Sequence, residues 1–306
     1  MKRLRLHFSV GVRRAAYAAF LVAVVAAAYY WREPLMRVWR EQAWTMVMAT
    51  GFMVTAIVIQ ARNFIAFLDS SDDVSVWPLS RVWALTSLAN YLGPFQPGVA
   101  LRIAYLSRHG VGWRESLLAT WRQLCTSGWI SLAGCGVGLL TLTAPYARLA
   151  GGTCIVVFVL VPMLRSMLRR SIGSAARPRW LVGKRDLLID AISGIGLAGI
   201  VGVVMQYLVG TALLWFVYRA YGAPIHPGHA LLLACMVYVS SLVALLPGNL
   251  GVLDAIYVFG GQGVGLSLPE SAAMALMLRC AQVIAAAGLA LAGPPPVRAA
   301  SNPPGE

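Results

Sequence analysis

Carboxylates are scarce in this chain. Asp and Glu together number 11 among 306 residues, against 25 Lys and Arg. All charged residues make up 12% of the sequence, about half of the ~25% usual in soluble domains. With 59% hydrophobic residues and a mean hydropathy of +0.71, that shortage excludes a soluble globular protein and points to an integral membrane protein. No segment is long and polar enough to form a soluble catalytic domain. Catalytic signatures are missing as well: there is no G-x-S-x-G, no Walker A loop, no H-E-x-x-H and no G-x-G-x-x-G in a fitting context. The five cysteines (Cys125, Cys135, Cys154, Cys235, Cys280) all lie in apolar stretches and form no C-x-x-C or metal spacing. They read as small buried hydrophobes, and neither a cofactor nor a metal is expected.

Apolar runs are what the chain has instead. A span needs about 20 apolar residues, and six runs approach or exceed that length: Ala15–Trp31, Ala43–Leu68, Leu117–Leu142, Tyr146–Leu164, Leu187–Tyr218 and Ser271–Ala292. The first follows Lys2, Arg3, Arg5, Arg13 and Arg14, as in a signal peptide. It ends, however, on Tyr29-Tyr30-Trp31-Arg32, which suits an interfacial belt rather than a small-residue cleavage site. A retained signal anchor is expected. Two further runs, Trp77–Leu92 and Ala230–Leu246, are slightly short, and each leads into a Pro/Gly break followed by a short segment of mixed polarity.

Those two breaks are copies of each other. Gly93-Pro94-Phe95-Gln96-Pro97-Gly98 is matched by Pro247-Gly248-Asn249-Leu250-Gly251. In both, a Gly stands four residues after the first Pro (Gly98, Gly251), and a Gly-Val-Gly triplet begins twelve residues further on (Gly110, Gly263). Each copy then runs through Glu-Ser (Glu115-Ser116, Glu270-Ser271) to an Arg in an apolar run, Arg122 or Arg279. Matching Pro/Gly interruptions in two halves mark the binding site of many secondary transporters.

Charge sets the expected topology. Arg165, Arg169, Arg170, Arg177, Arg179, Lys184 and Arg185 form a basic stretch without an acid, so this segment belongs on the cytoplasmic side with the basic N-terminus. Parity holds if Trp77–Leu92 and Gly98–Arg108 form a hairpin that enters and leaves on that side; an eleven-residue helix reaches only about 16 Å. The second hairpin then enters from the opposite face. The expected fold is an all-α polytopic membrane protein: six full transmembrane helices plus two re-entrant, Pro/Gly-broken hairpins in an inverted repeat. One membrane domain, 1–292, would comprise a first half (1–164), a basic cytoplasmic linker (165–186) and a second half (187–292). The Pro-rich tail, 293–306, reads as disordered.

Irregular backbone inside a bilayer is tolerated only in protein or beside a water-filled cavity. A half-helix starting near Gly98 would aim free N–H groups at that cavity, with Arg102 one turn further in as a bidentate partner for phosphate. In the second copy Asp254 needs a partner, and Arg102, Arg122 and Arg279 are the candidates. The alternative is that Arg102 and Asp254 anchor their hairpins at the headgroup level. Arg122 and Arg279 would serve either the cavity or the carbonyls of a neighbouring hairpin.

The segments Asn90-Tyr91-Leu92-Gly93-Pro94…Gly98…Arg102…Leu106…Gly110-Val111 and Leu246-Pro247-Gly248-Asn249-Leu250-Gly251-Val252-Leu253-Asp254-Ala255 resemble the two signatures of the lysylphosphatidylglycerol synthase transmembrane (flippase-like) family. The resemblance runs from the first span to about Ala292. It implies a multi-pass protein of the bacterial inner membrane, related to the lipid-flipping half of aminoacyl-phospholipid synthases, with stand-alone relatives encoded near genes for lipid, hopanoid and envelope-glycan synthesis. The family's motif residues map onto Pro94, Gly98 and Arg102, and onto Pro247, Gly248, Gly251 and Asp254. Three positions depart from the pattern: Asp254 where Glu is common, Asn249 where Gly is common, and Val99 where an acid usually follows the Gly. No transferase domain is expected.

The expected function is therefore a lipid translocase, not an enzyme, whose cavity takes an anionic phospholipid or polyprenyl-phosphate headgroup through Pro94, Gly98, Arg102, Arg122, Pro247, Gly248, Gly251, Asp254 and Arg279. Its partners would be membrane lipids and an envelope-lipid synthase, not nucleic acid. Two other readings stand beside it. Asp69-Ser70-Ser71-Asp72-Asp73 could hold Mg²⁺ for a headgroup or glycosyl transferase, although a helix-capping interfacial loop also fits. A scaffold subunit for envelope-lipid synthesis is the third. His226 and His229, flanking Pro227-Gly228, have no third ligand near and read as a turn.

Overall fold

A computed structural model describes residues 36, 40–69, 74–91, 97–174, 196–242 and 251–292. The chain divides after Trp44 into two compact units, and the second, 45–306, carries the cavity considered below. Among the described residues the regular elements are nine α-helices: α1 Ala43–Ile65, α2 Val76–Ala89, α3 Pro97–Arg108, α4 Trp113–Leu140, α5 Pro145–Ser174, α6 Leu197–Ala220, α7 Pro227–Leu242, α8 Val252–Gly263 and α9 Leu268–Leu291. The all-α reading holds for these residues.

Five of these helices contain a stretch long and apolar enough to cross a membrane: α1, α4, α5 over Pro145–Leu164, α6 and α9. They match five of the six expected spans. The sixth, Ala15–Trp31, lies outside the described residues, as does the tail 293–306. Two boundaries differ from the hydropathy reading. Helix α5 continues through Arg165, Arg169 and Arg170 to Ser174, because Arg is a good helix former and loss of hydropathy does not end a helix. Helix α6 begins at Leu197 after an extended Gly196, and residues 187–195 of the expected span lie outside the described residues.

The two runs that looked short form short helices. Helix α2 has 14 residues and α7 has 16, followed after each break by the 12-residue α3 and α8. At 1.5 Å per residue, 12 residues rise about 18 Å, well short of the roughly 30 Å hydrocarbon layer. Pro94, Pro247 and Gly248 lie outside the described residues.

Packing exchanges partners between the halves. Helix α2 packs on α3, and α7 on α8. The helix after the first pair, α4, lies along α7, while the helix after the second pair, α9, lies along α2. Small residues allow the first of these crossings: a Cβ on Gly134 would stand 2.3 Å from Cys235 Sγ, and one on Gly138 would stand 2.8 Å from the carbonyl oxygen of Gly228. Close backbone approach through small residues at four-residue spacing is how helices gain contact where lipid is as apolar as the side chains. One buried cluster, including Phe64, Phe67, Leu79, Leu106 and Val203, lies around α1, α2, α3 and α6; another, including Tyr218, Ile225, Met274 and Leu278, ties α6 to α9.

Candidate functional site

A cavity of about 360 Å³ lies between the two broken pairs, lined by every described helix except α5. That volume is within the range of small-ligand sites. Its wall mixes apolar side chains such as Met53, Leu213 and Leu253 with amides and hydroxyls, and among the described residues it contains one ionic group, Arg102.

Arg102 lies on the first-copy half-helix and is 5% exposed. Its guanidinium carbon is 4.3 Å from the centre of the Trp83 ring and 4.7 Å from that of Phe64. Trp83 is fixed in turn by donating from Nε1 to Gln60 Oε1 at 2.8 Å. Arg102 Nη2 donates to Thr120 Oγ1 at 2.9 Å, and that hydroxyl donates to the Ser116 carbonyl at 2.8 Å. Nε is buried with no partner. No carboxylate pairs with Arg102 among the described residues. Each aromatic face contributes about 0.5–2 kcal/mol, but rings do not neutralise a charge, and an ion out of water retains a penalty of several kcal/mol. The result is a fixed cation looking for an anion.

Gly98 serves a close approach between two helices. A Cβ there would lie 2.3 Å from Thr86 Cγ2 and 2.4 Å from the Thr86 carbonyl oxygen, so the glycine lets α3 lie against α2. Its N–H donates to Asn90 Oδ1 at 3.0 Å, and its carbonyl accepts from Thr86 Oγ1 at 3.2 Å. Of the N–H groups at the start of this half-helix, that of Gly98 is therefore not free for the cavity: the Asn90 side chain, just past the end of α2, already caps it.

The second copy is arranged otherwise. Gly251 has φ +84° with nothing within 4 Å of a built Cβ, so here glycine supplies a left-handed backbone. Its N–H donates to Asp254 Oδ2 at 3.0 Å, closing the start of α8. The same carboxylate accepts from Arg279 Nε at 2.7 Å and Nη2 at 3.1 Å, a bidentate pair. Of the three candidate partners for Asp254, the structure selects Arg279. Arg279 Nη1 also donates to Tyr91 Oη at 3.2 Å, and that hydroxyl donates to Gln282 Oε1 at 3.2 Å. Asp254 is therefore engaged by protein and does not line the cavity.

Arg122 is buried and serves the first half. Nη1 donates to the Phe67 carbonyl at 3.2 Å and to Asp69 Oδ1 at 2.8 Å, fixing the chain just past α1. Asp69 accordingly holds an arginine; Asp72 and Asp73 lie outside the described residues. Among the described residues no three His, Cys, Asp or Glu are grouped as for a metal. His226 Nδ1 accepts from the Gly228 N–H at 3.1 Å, in keeping with a turn.

Sequence reasoning passed over several residues that shape the site: Phe64, Trp83, Gln60, Gln206 and Gln282. A hydropathy window averages single amides out of an apolar run, and three glutamines recurring inside such runs were the available signal. Arg81 on α2 is buried, and its Nη2 donates to the Ala290 carbonyl at 3.1 Å near the end of α9, where a cation suits the helix dipole.

Fold and cavity define a multi-pass α-helical membrane protein with a cationic central site. Compared with known families, the chain matches the one described as the lysylphosphatidylglycerol synthase TM region over residues 8–290. It belongs to that family. No curated protein and no solved structure matches it.

Proposed function

We propose that this protein is a lipid translocase of the bacterial inner membrane, with a cytoplasmic N-terminus, that carries an anionic phospholipid or polyprenyl-phosphate headgroup through the central cavity without chemically changing it. The observation that carries this reading is Arg102, 5% exposed, on the cavity wall with no carboxylate partner among the described residues and one orphan donor. A phosphate supplies the missing counter-charge and acceptor, since Arg presents a planar fork matched to it. The cavity's wall of mixed polarity suits a ligand that has both a polar headgroup and apolar tails.

The exchanged packing of α4 on α7 and α9 on α2 supports two re-entrant hairpins related by an inverted repeat, entering from opposite faces. In such proteins one repeat rocks against the other around a fixed midplane site. The second copy then contributes rigidity: the Asp254–Arg279–Tyr91 chain links the start of α8 to the end of α2, so both breaks are tied through one set of side chains. The transferase alternative is weakened because Asp69, the described acid of its cluster, is held by Arg122. An envelope-lipid synthase remains the partner such a translocase would serve.

The experiment is reconstitution in liposomes with fluorescent anionic lipids, following their exchange between leaflets. Wild type is expected to exchange them faster than protein-free vesicles, and Arg102→Ala at the protein-free rate. Equal rates for wild type and empty vesicles across several anionic headgroups would refute the proposal.

A further inference from the structure

The contact between α1 and α6 holds a polar group that nothing answers. Asn63 on α1 is 2% exposed, and neither its Nδ2 nor its Oδ1 has a hydrogen-bond partner among the described residues. A buried amide left without partners is costly, because it has given up water and gained nothing in return. Asn63 lies against the backbone of α6: a Cβ on Gly202 would stand 2.5 Å from its Oδ1. One turn away, a Cβ on Gly199 would stand 2.7 Å from Phe67 Cζ. Toward the other end of the same two helices, the rings of Phe52 and Phe216 lie 6.2 Å apart. The pairings of 67 with 199, 63 with 202 and 52 with 216 define one antiparallel register.

The sequence of α6 offers a second register. Gly199 and Gly202 are three residues apart and share a face, so either gives the Phe67 ring a place against bare backbone. Moving Phe67 from Gly199 to Gly202 slides α6 by about one turn, roughly 5 Å. The same slide carries Asn63 from Gly202 to Gln206, four residues on. Gln206 is buried, and its side chain is hydrogen-bonded to the Tyr238 hydroxyl in the present register. Set against each other, the two amides match donor to acceptor and acceptor to donor.

This slide would reach the cavity from both sides. Gln206, Val209, Gly210, Leu213 and Leu214 form the α6 part of the cavity wall and would move with the helix. On α1, Gln60 holds Trp83 and Phe64 stacks on Arg102, within one turn of Asn63 on either side. Resting on the translocase reading, we infer that the α1–α6 contact is a sliding surface with two registers that serves the transport cycle. Asn63 is unpaired in the register seen here and paired with Gln206 in the other, so its amide sets the balance between them.

Cross-linking tests whether the second register exists. Asn63→Cys is combined with Gly202→Cys or with Gln206→Cys in the full-length protein, in liposomes of phosphatidylethanolamine and phosphatidylglycerol. After oxidation with copper phenanthroline, the linked peptides are identified by mass spectrometry. A disulfide needs Cβ atoms about 4 Å apart, so the first pair reports the register seen here and the second forms only after the slide. Both are expected, and the first should hold anionic-lipid exchange at the protein-free rate until a reductant releases it. Asn63→Leu, with Asn63→Val as a second apolar variant, should raise the melting temperature by about 2–4 °C. Exchange should slow about tenfold, because either variant relieves this register and strips the other of its pair. A lower melting temperature in both variants would mean that the amide is answered here, as by a buried water, and would overturn the inference. So would absence of the second cross-link, or wild-type exchange by both variants. Both cross-links in a wild type that exchanges no lipid would uphold the two registers and refute the translocase reading alone.

Discussion

The two broken helix pairs begin from nearly the same sequence device and finish with opposite uses of charge. In the first, Arg102 lies between two aromatic rings in the cavity with a donor to spare. In the second, the charge at Asp254 is neutralised by Arg279 and locked to the start of its own helix. The glycines diverge in the same way: Gly98 provides room, Gly251 provides a positive φ. One copy leaves its charge without a carboxylate partner among the described residues, and the other spends its charge within the protein. A repeat in sequence is therefore not a repeat in role.

Substitutions should separate the two roles, and the largest effect belongs to the cavity. Arg102→Met is expected to slow exchange of an anionic lipid about 100-fold, the loss of a charge-assisted contact worth about 3 kcal/mol, while the melting temperature holds or rises because an unpaired buried charge is gone. Arg279→Met should do the reverse for stability. It strands Asp254 and costs about 2–3 kcal/mol, discounted from the fully buried case because the carboxylate is 34% exposed; urea or thermal melts in detergent measure it. Gly98→Ala should follow at about 2 kcal/mol, because the Thr86 carbonyl oxygen at 2.4 Å is backbone and cannot swing away. Gly251→Ala meets no neighbour and should cost about 1 kcal/mol through its dihedral alone. If the two glycine variants were equally destabilising, the distinction between space and conformation would be wrong.

Much of this was legible beforehand, and the reasons are physical. Long apolar runs can only be helices in a membrane, so α1, α4, α5, α6 and α9 were visible from hydropathy, and the Pro/Gly breaks separated α2 from α3 and α7 from α8. The candidate arginines and Asp254 stood out because charge inside an apolar run requires a partner. Which partner was not legible: three arginines suited Asp254 equally by type, and only the packing of α8 on α9 brings Arg279 to it. The capping of Gly98 by Asn90 was equally hidden, since it depends on how α3 lies across the end of α2. Single glutamines and aromatics on the cavity wall carry no signature until several helices bring them together. The chain ends of the reading, 1–35 and 293–306, fall outside the described residues.

The central claim is that Arg102 is there for an anionic headgroup rather than for the fold. The direct measurement is the rate of anionic-lipid exchange by Arg102→Met in liposomes, normalised to folded protein and set beside its melting temperature. The account predicts a rate about 100-fold below wild type with the melting temperature preserved. Exchange at the wild-type rate, or a loss of rate explained wholly by unfolding, would contradict it.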